Sequence, residues 1–76
     1  MEMKNRVELL TEEIARIIGL GFDTSVVGRV REIGEELNRL GGMGLMLDVS
    51  MKSTELNPRV RGFLGKWWDG VGEWVD

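Results

Sequence analysis

The chain contains no cysteine and no histidine. The first absence excludes disulfide cross-links, and the two together remove the usual ligands of zinc and haem sites. A chain of 76 residues buries only about 60–65% of the surface that its unfolded form exposes, so a lone core is marginal at this size. With disulfides and the common metal sites set aside, oligomerisation is the remaining remedy for a small core. No apolar run approaches the roughly 18 residues that a membrane span needs. The opening Met1-Glu2-Met3-Lys4-Asn5-Arg6 leads into an amphipathic segment and does not read as a secretory signal. A cytoplasmic protein is expected, and the lack of cysteine fits a reducing compartment.

Charge of one sign is also missing. Ten basic and 13 acidic residues leave a net charge of −3, and both signs are spread along the chain. That distribution lacks the basic patch of a nucleic-acid binder and the basic face of a helix that lies on a membrane, so neither partner is expected. A hydrophobic content of 42% places the chain among globular proteins.

What is present is helical periodicity. Met3, Val7, Leu10, Ile14 and Ile17 form one stripe, which predicts an amphipathic helix over about 3–18. Gly19 and Gly21 follow where a left-handed C-cap is expected, and Phe22 reads as a core plug between helices. Asp23, Thr24 and Ser25 offer N-caps for a second helix over 24–40, carried by Val26, Val30, Ile33, Leu37 and Leu40 and stopped at Gly41-Gly42. Residues 43–52 fit two periods. Leu45, Leu47, Val49 and Met51 alternate as in a strand, whereas Met43, Met46, Leu47 and Ser50 make a helical row. A short helix is preferred, because a lone strand would leave its backbone unpaired unless it met its own copy in a dimer.

The last third carries all three tryptophans. Val60, Leu64, Trp67, Val71 and Trp74 repeat at steps of four and three, Asn57 is placed as an N-cap and Pro58 as the first helical residue, which predicts a helix over 58–74. Its charges run against the macrodipole, with Arg59, Arg61 and Lys66 towards the N-terminal end and Asp69, Glu73 and Asp76 towards the other. The glycines at 62, 65, 70 and 72 weaken it further, and the Gly70-Val71-Gly72 step is where it would bend or stop, leaving Trp74 on a turn. The expected fold is all-α, a single domain over 1–76 with three main helices and one short one, completed by homodimerisation.

Candidate sites are few. The carboxylates of Asp69, Glu73 and Asp76 would share a helical face able to hold a hard cation, but a solvated, frayed terminus accounts for them more simply, and a terminus holds catalytic geometry poorly. Gly41-Gly42-Met43-Gly44 would make an anion nest, yet it lacks the Walker and dinucleotide patterns, and a C-cap with a tight turn explains its glycines. No catalytic constellation, cofactor site or metal site is expected, so the protein does not read as an enzyme. The sharper expectation is an interface. Trp67 and Trp68 lie about 100° apart on a helix, so one would face the core and the other lie at its edge. Phe63, Trp67, Trp68, Val71 and Trp74 would then form the interface, with Arg59, Arg61, Asp69 and Glu73 setting an antiparallel pairing of two copies about a two-fold axis. On this expectation, Trp68→Ala costs association more than fold. The partner is itself or another protein. The alternative is a small-molecule or peptide binder with a pocket between Met43, Met46 and Met51 and the tryptophans.

At Gly41-Gly42-Met43-Gly44-Leu45-Met46, and again at Trp67-Trp68-Asp69-Gly70-Val71-Gly72-Glu73-Trp74, the chain resembles a group of small uncharacterised prokaryotic helical proteins. In these an Ile-Gly-x-x-Leu helix precedes a Gly-Gly-x-x-Leu-Met step and a Trp-x-Gly-(Ile/Val)-Gly-x-Trp ending. The resemblance spans roughly residues 30–75 and implies a stand-alone helical protein, with no activity attached to it.

Overall fold

The computed structural model describes residues 2–19 and 23–75, and all regular structure among them is helical. Met1, Leu20, Gly21, Phe22 and Asp76, and the side chains of Glu2, Met3 and Lys4, lie outside the described set. With them fall the expected roles of Met3, Gly21, Phe22 and Asp76.

α1 (Glu2–Ile18) buries Leu10 and Ile14 of the expected stripe, but its next buried residue is Ile18; Val7 and Ile17 are only half-buried. α2 (Thr24–Leu56) starts at Asp23, whose side chain accepts from the Val26 N–H, an N-cap that ties down one of the otherwise unpaired first-turn donors. The element has 33 residues, about 50 Å if straight, whereas the molecule is 31 Å in its longest direction. It must therefore fold back. It does so at Gly42, whose φ of 68° and ψ of −159° lie in a region open essentially to glycine alone. The first limb, residues 24–41, runs antiparallel to α1, as the Arg6–Glu36 and Arg29–Glu13 pairs at opposite ends of the contact show. The second limb, 43–56, returns alongside α1, where the Asn57 side-chain amide donates to the Ala15 carbonyl at 2.9 Å.

Two boundaries differ from expectation. The helix expected over 43–52 is not a separate short element; it is the second limb of α2 and continues to Leu56. The strand alternative for the same stretch is absent, since helical hydrogen bonding continues through these residues. α3 (Val60–Trp67) is half the length expected for 58–74. Asn57 does not cap it directly. Its carboxamide oxygen accepts from the Arg59 N–H instead, and the chain enters α3 through i to i+3 bonds from Val60, Arg61 and Gly62.

Beyond Trp67 the backbone becomes a run of turns with Gly70 and Gly72 at positive φ. The Gly70 N–H donates to the Trp74 carbonyl at 2.9 Å, so this ending doubles back on itself. Trp74 does lie off the helix, as the Gly70-Val71-Gly72 step predicts. With α3 ending at Trp67, Lys66 falls in its last turn, where a cation favours the macrodipole, and Asp69 and Glu73 lie beyond the helix. The reversed charge gradient is thereby reduced to its N-terminal half.

The core joins Leu10, Ile14 and Ile18 of α1 to Val30, Ile33, Leu37, Met46 and Val49 of α2, to Val60 and Leu64 of α3 and to the turn residues that follow. Thr11 and Ser53, the buried polar residues, turn their hydroxyls onto carbonyls of their own helices, Thr11 to Val7 and Ser53 to Val49 and Ser50. No buried side-chain polar atom among the described residues is left without a partner. No helix among them is long and apolar enough to cross a membrane.

Candidate functional site

The tryptophan-rich ending is the first place to look for a site, and the structure spends most of it on the interior. Trp68 is fully buried and its indole N–H donates to the Val30 carbonyl at 2.8 Å. A helix carbonyl has a second lone pair available for such a bond. The ring can approach that closely because Gly34 has no side chain in the way: a Cβ there would lie 2.5 Å from the indole nitrogen. Trp74 meets Trp68 edge to face, with ring centroids 5.0 Å apart at 89°, and donates its own N–H to the Gly65 carbonyl at 3.0 Å. Val71 is buried beside them.

Of the five apolar residues expected at an interface, Trp68, Val71 and Trp74 are therefore core. Phe63 and Trp67 are half-buried and stack on each other at 5.6 Å. The four residues expected to orient the pairing, Arg59, Arg61, Asp69 and Glu73, are exposed. The structure does not bring these nine side chains onto one outer face, because the turn at 68–75 folds the outer tryptophans inward. The effect of Trp68→Ala accordingly falls on the fold.

Arg31 locks this arrangement from α2. Its guanidinium donates to the carbonyls of Trp67 at 2.7 Å and Asp69 at 3.0 Å, at the end of α3 where backbone acceptors lack helical partners. Asp69 and Glu73 sit on turns and not on one helical face, and Asp76 lies outside the described residues. Among the described residues no group of three or more His, Cys, Asp or Glu is placed to hold a metal ion. The Gly41–Gly44 stretch is a fold-back inside α2 and not the start of a free helix, so no anion nest at a helix N-terminus arises there.

The three methionines do not sit together on one surface with the tryptophans. Met46 is buried, Met43 is half-buried, and Met51 points outward. Two surface grooves flank the second limb of α2, and neither is lined by a tryptophan. One, of about 330 Å³, lies against α1, with Val7, Thr11 and Leu56 at its apolar side and Glu8, Glu12, Lys52 and Glu55 around it. The other, of about 400 Å³, lies towards α3 and is lined by Ser50, Met51, Thr54, Glu55 and Arg61.

The surface that sequence reasoning missed is the outer side of this limb. Leu47 is 46% exposed, Met51 66% and Leu56 61%. The signal was present in the apolar excess of Leu45, Met46, Leu47, Val49 and Met51. A helix on the outside of a bundle buries one face, so a limb that is apolar on more than one face must leave some of it outside. Both periods found in the stretch were describing this surplus.

The chain matches no known protein-family model, no curated protein and no solved structure.

Proposed function

We propose that this chain is a small helical protein–protein interaction or structural module that self-associates, and not an enzyme. The observation that carries the proposal is the exposed apolar pair Leu47 and Met51, one turn apart on one face of the second limb of α2. Scattered apolar residues are ordinary on a surface, but two large ones on successive turns of one helix face make a contiguous patch of the kind that supports an interaction site. The marginal size of the core adds a motive, since association buries further apolar area. The tryptophans enter this function by holding α3 against α2, so that the limb is presented on a rigid body.

The test is the solution mass by light scattering on a sizing column, over a range of concentrations and at two salt levels. A mass of twice the 8.6 kDa chain supports self-association. A monomer at every concentration sinks it.

A second reading, a binder of a small molecule or short peptide, is favoured by the groove of about 330 Å³ against α1, a volume at the small end of ligand sites. Its ligand would touch no tryptophan, so amide chemical shifts of Val7, Thr11 and Leu56 during a ligand titration are the appropriate probe. Shifts spread evenly over the chain, or none, would count against it.

A further inference from the structure

Resting on the self-association reading, we infer that the occupant of the outer face of α2 is a second copy of this chain, docked about a two-fold axis. Leu47 and Met51 lie at its centre, and Glu55 of each copy pairs with Arg61 of the other.

A two-fold interface brings the same surface of each copy together. Each copy contributes the same patch, so the patch must be its own complement: an apolar centre, with opposite charges on opposite sides of it. The groove beside α3 supplies the parts of such a patch, with apolar surface and an acid on its α2 wall and a base on its α3 wall. Met51 is among its lining residues, Leu47 lies one helical turn before Met51 on the same face, and the groove carries one acid, Glu55, and one base, Arg61.

Among the described residues neither charge takes part in an ion pair or a side-chain hydrogen bond. Among the described residues the ion pairs join Arg6 to Glu36, Arg29 to Glu13 and Glu32, and Lys52 to Asp48. Glu55 and Arg61 line the same groove and take part in none of them. A two-fold rotation about an axis between the α2 wall and the α3 wall exchanges the two, bringing the acid of one copy towards the base of the other, twice. Gly44, one turn before Leu47 on this face, has open space around it, so the backbone there can be approached closely by a facing helix. The tryptophan face offers no comparable arrangement, because Trp68, Val71 and Trp74 are already covered by α2 and by one another.

The test is a charge-swap cycle on the full chain, read as the dimer dissociation constant by light scattering or sedimentation. Glu55→Arg and Arg61→Glu each place like charges across the axis and are expected to weaken association about tenfold or more, while the double variant restores it to within about threefold of the parent. Met51→Glu is expected to abolish the dimer and leave the helical circular dichroism and the melting profile of the dilute monomer unchanged, since its side chain is largely in solvent. A dimer indifferent to all of these variants overturns the assignment of this face and leaves self-association standing. A monomer at every concentration overturns both. Single swaps that weaken the dimer with no recovery in the double variant overturn the reciprocal pairing.

Discussion

Gly34 and Gly28 lie in the same limb of α2, yet an added methyl group acts in opposite directions at the two. At Gly34 the new Cβ would lie 2.5 Å from the Trp68 indole nitrogen, so the ring must back away from Val30 and lose its hydrogen bond. Overpacking of this kind costs about 1–3 kcal/mol, more than the gain in helix propensity returns. At Gly28 nothing lies within 4 Å of the added atom, and Gly28→Ala is expected to stabilise by about 0.5–1 kcal/mol. Urea unfolding of the two variants beside the parent checks the pair. Trp68→Ala is the larger lesion. Emptying a fully buried indole site costs about 3–5 kcal/mol, comparable with the whole stability of a small domain. Loss of the cooperative thermal transition is the expected result. A variant that melts like the parent and only fails to associate would return Trp68 to the interface.

The fold-back of α2 depends on one residue. Gly42 holds a φ, ψ pair that costs a residue with a Cβ about 1–3 kcal/mol, so Gly42→Ala is expected to lower the melting temperature even though the site is open to solvent on the Cβ side. If the same variant were as stable as the parent, the break in α2 would have to lie elsewhere. The ending after α3 depends on a different device. Arg31 gathers the carbonyls of Trp67 and Asp69, and Gly72 sits where a Cβ would collide with the Asn38 side chain. Arg31→Gln is therefore expected to speed hydrogen exchange of the Gly70 and Trp74 amides, both held by bonds inside this turn, while the core of α1 keeps its protection. Uniform acceleration across all helices would mean that Arg31 supports the global fold and not this segment.

Two bidentate ion pairs clamp α1 to the first limb of α2, Arg6 to Glu36 and Arg29 to Glu13, each with a shortest contact of 2.6 Å. Hydrogen bonding from Arg29 holds the Glu13 carboxyl below its ordinary value near 4.5, and Arg6 does the same for Glu36. Both values are depressed in the folded state, so the stabilisation is fully present above the ordinary carboxylate range and is lost as pH falls through the lowered values. With no histidine in the chain, no imidazole titrates between pH 5 and 8. Thermal stability is expected to be flat across that range and to decline below about pH 4.5. Replacing both Glu13 and Glu36 by Gln should shrink that acid-side decline. An unchanged decline would place its origin in other carboxylates. The exposure of these pairs makes each modest and sensitive to salt.

The sequence was sufficient for the helical class, most of the inward rows of α1 and of the first limb of α2 (with Ile18 in place of Ile17, and Leu40 exposed), the break at Gly41-Gly42 and the weakness of the Gly70-Val71-Gly72 step. These follow from local rules: apolar spacing near 3.6, caps, and glycine where the backbone must leave the helical region. It was insufficient for the ending of α3 and for the outward face of the second limb. The four-three spacing of Val60, Leu64, Trp67, Val71 and Trp74 fits a continuous helix, but it fits equally a helix that stops at Trp67 and folds Trp74 back onto Trp68. The choice between them belongs to partners distant in the chain: the Val30 carbonyl, the space at Gly34, the Arg31 guanidinium and the Asn38 side chain. The same holds for Leu47 and Met51. Local pattern says that a helix apolar on several sides must expose something, and only the packing of α1 and α3 around the fold-back decides which side that is.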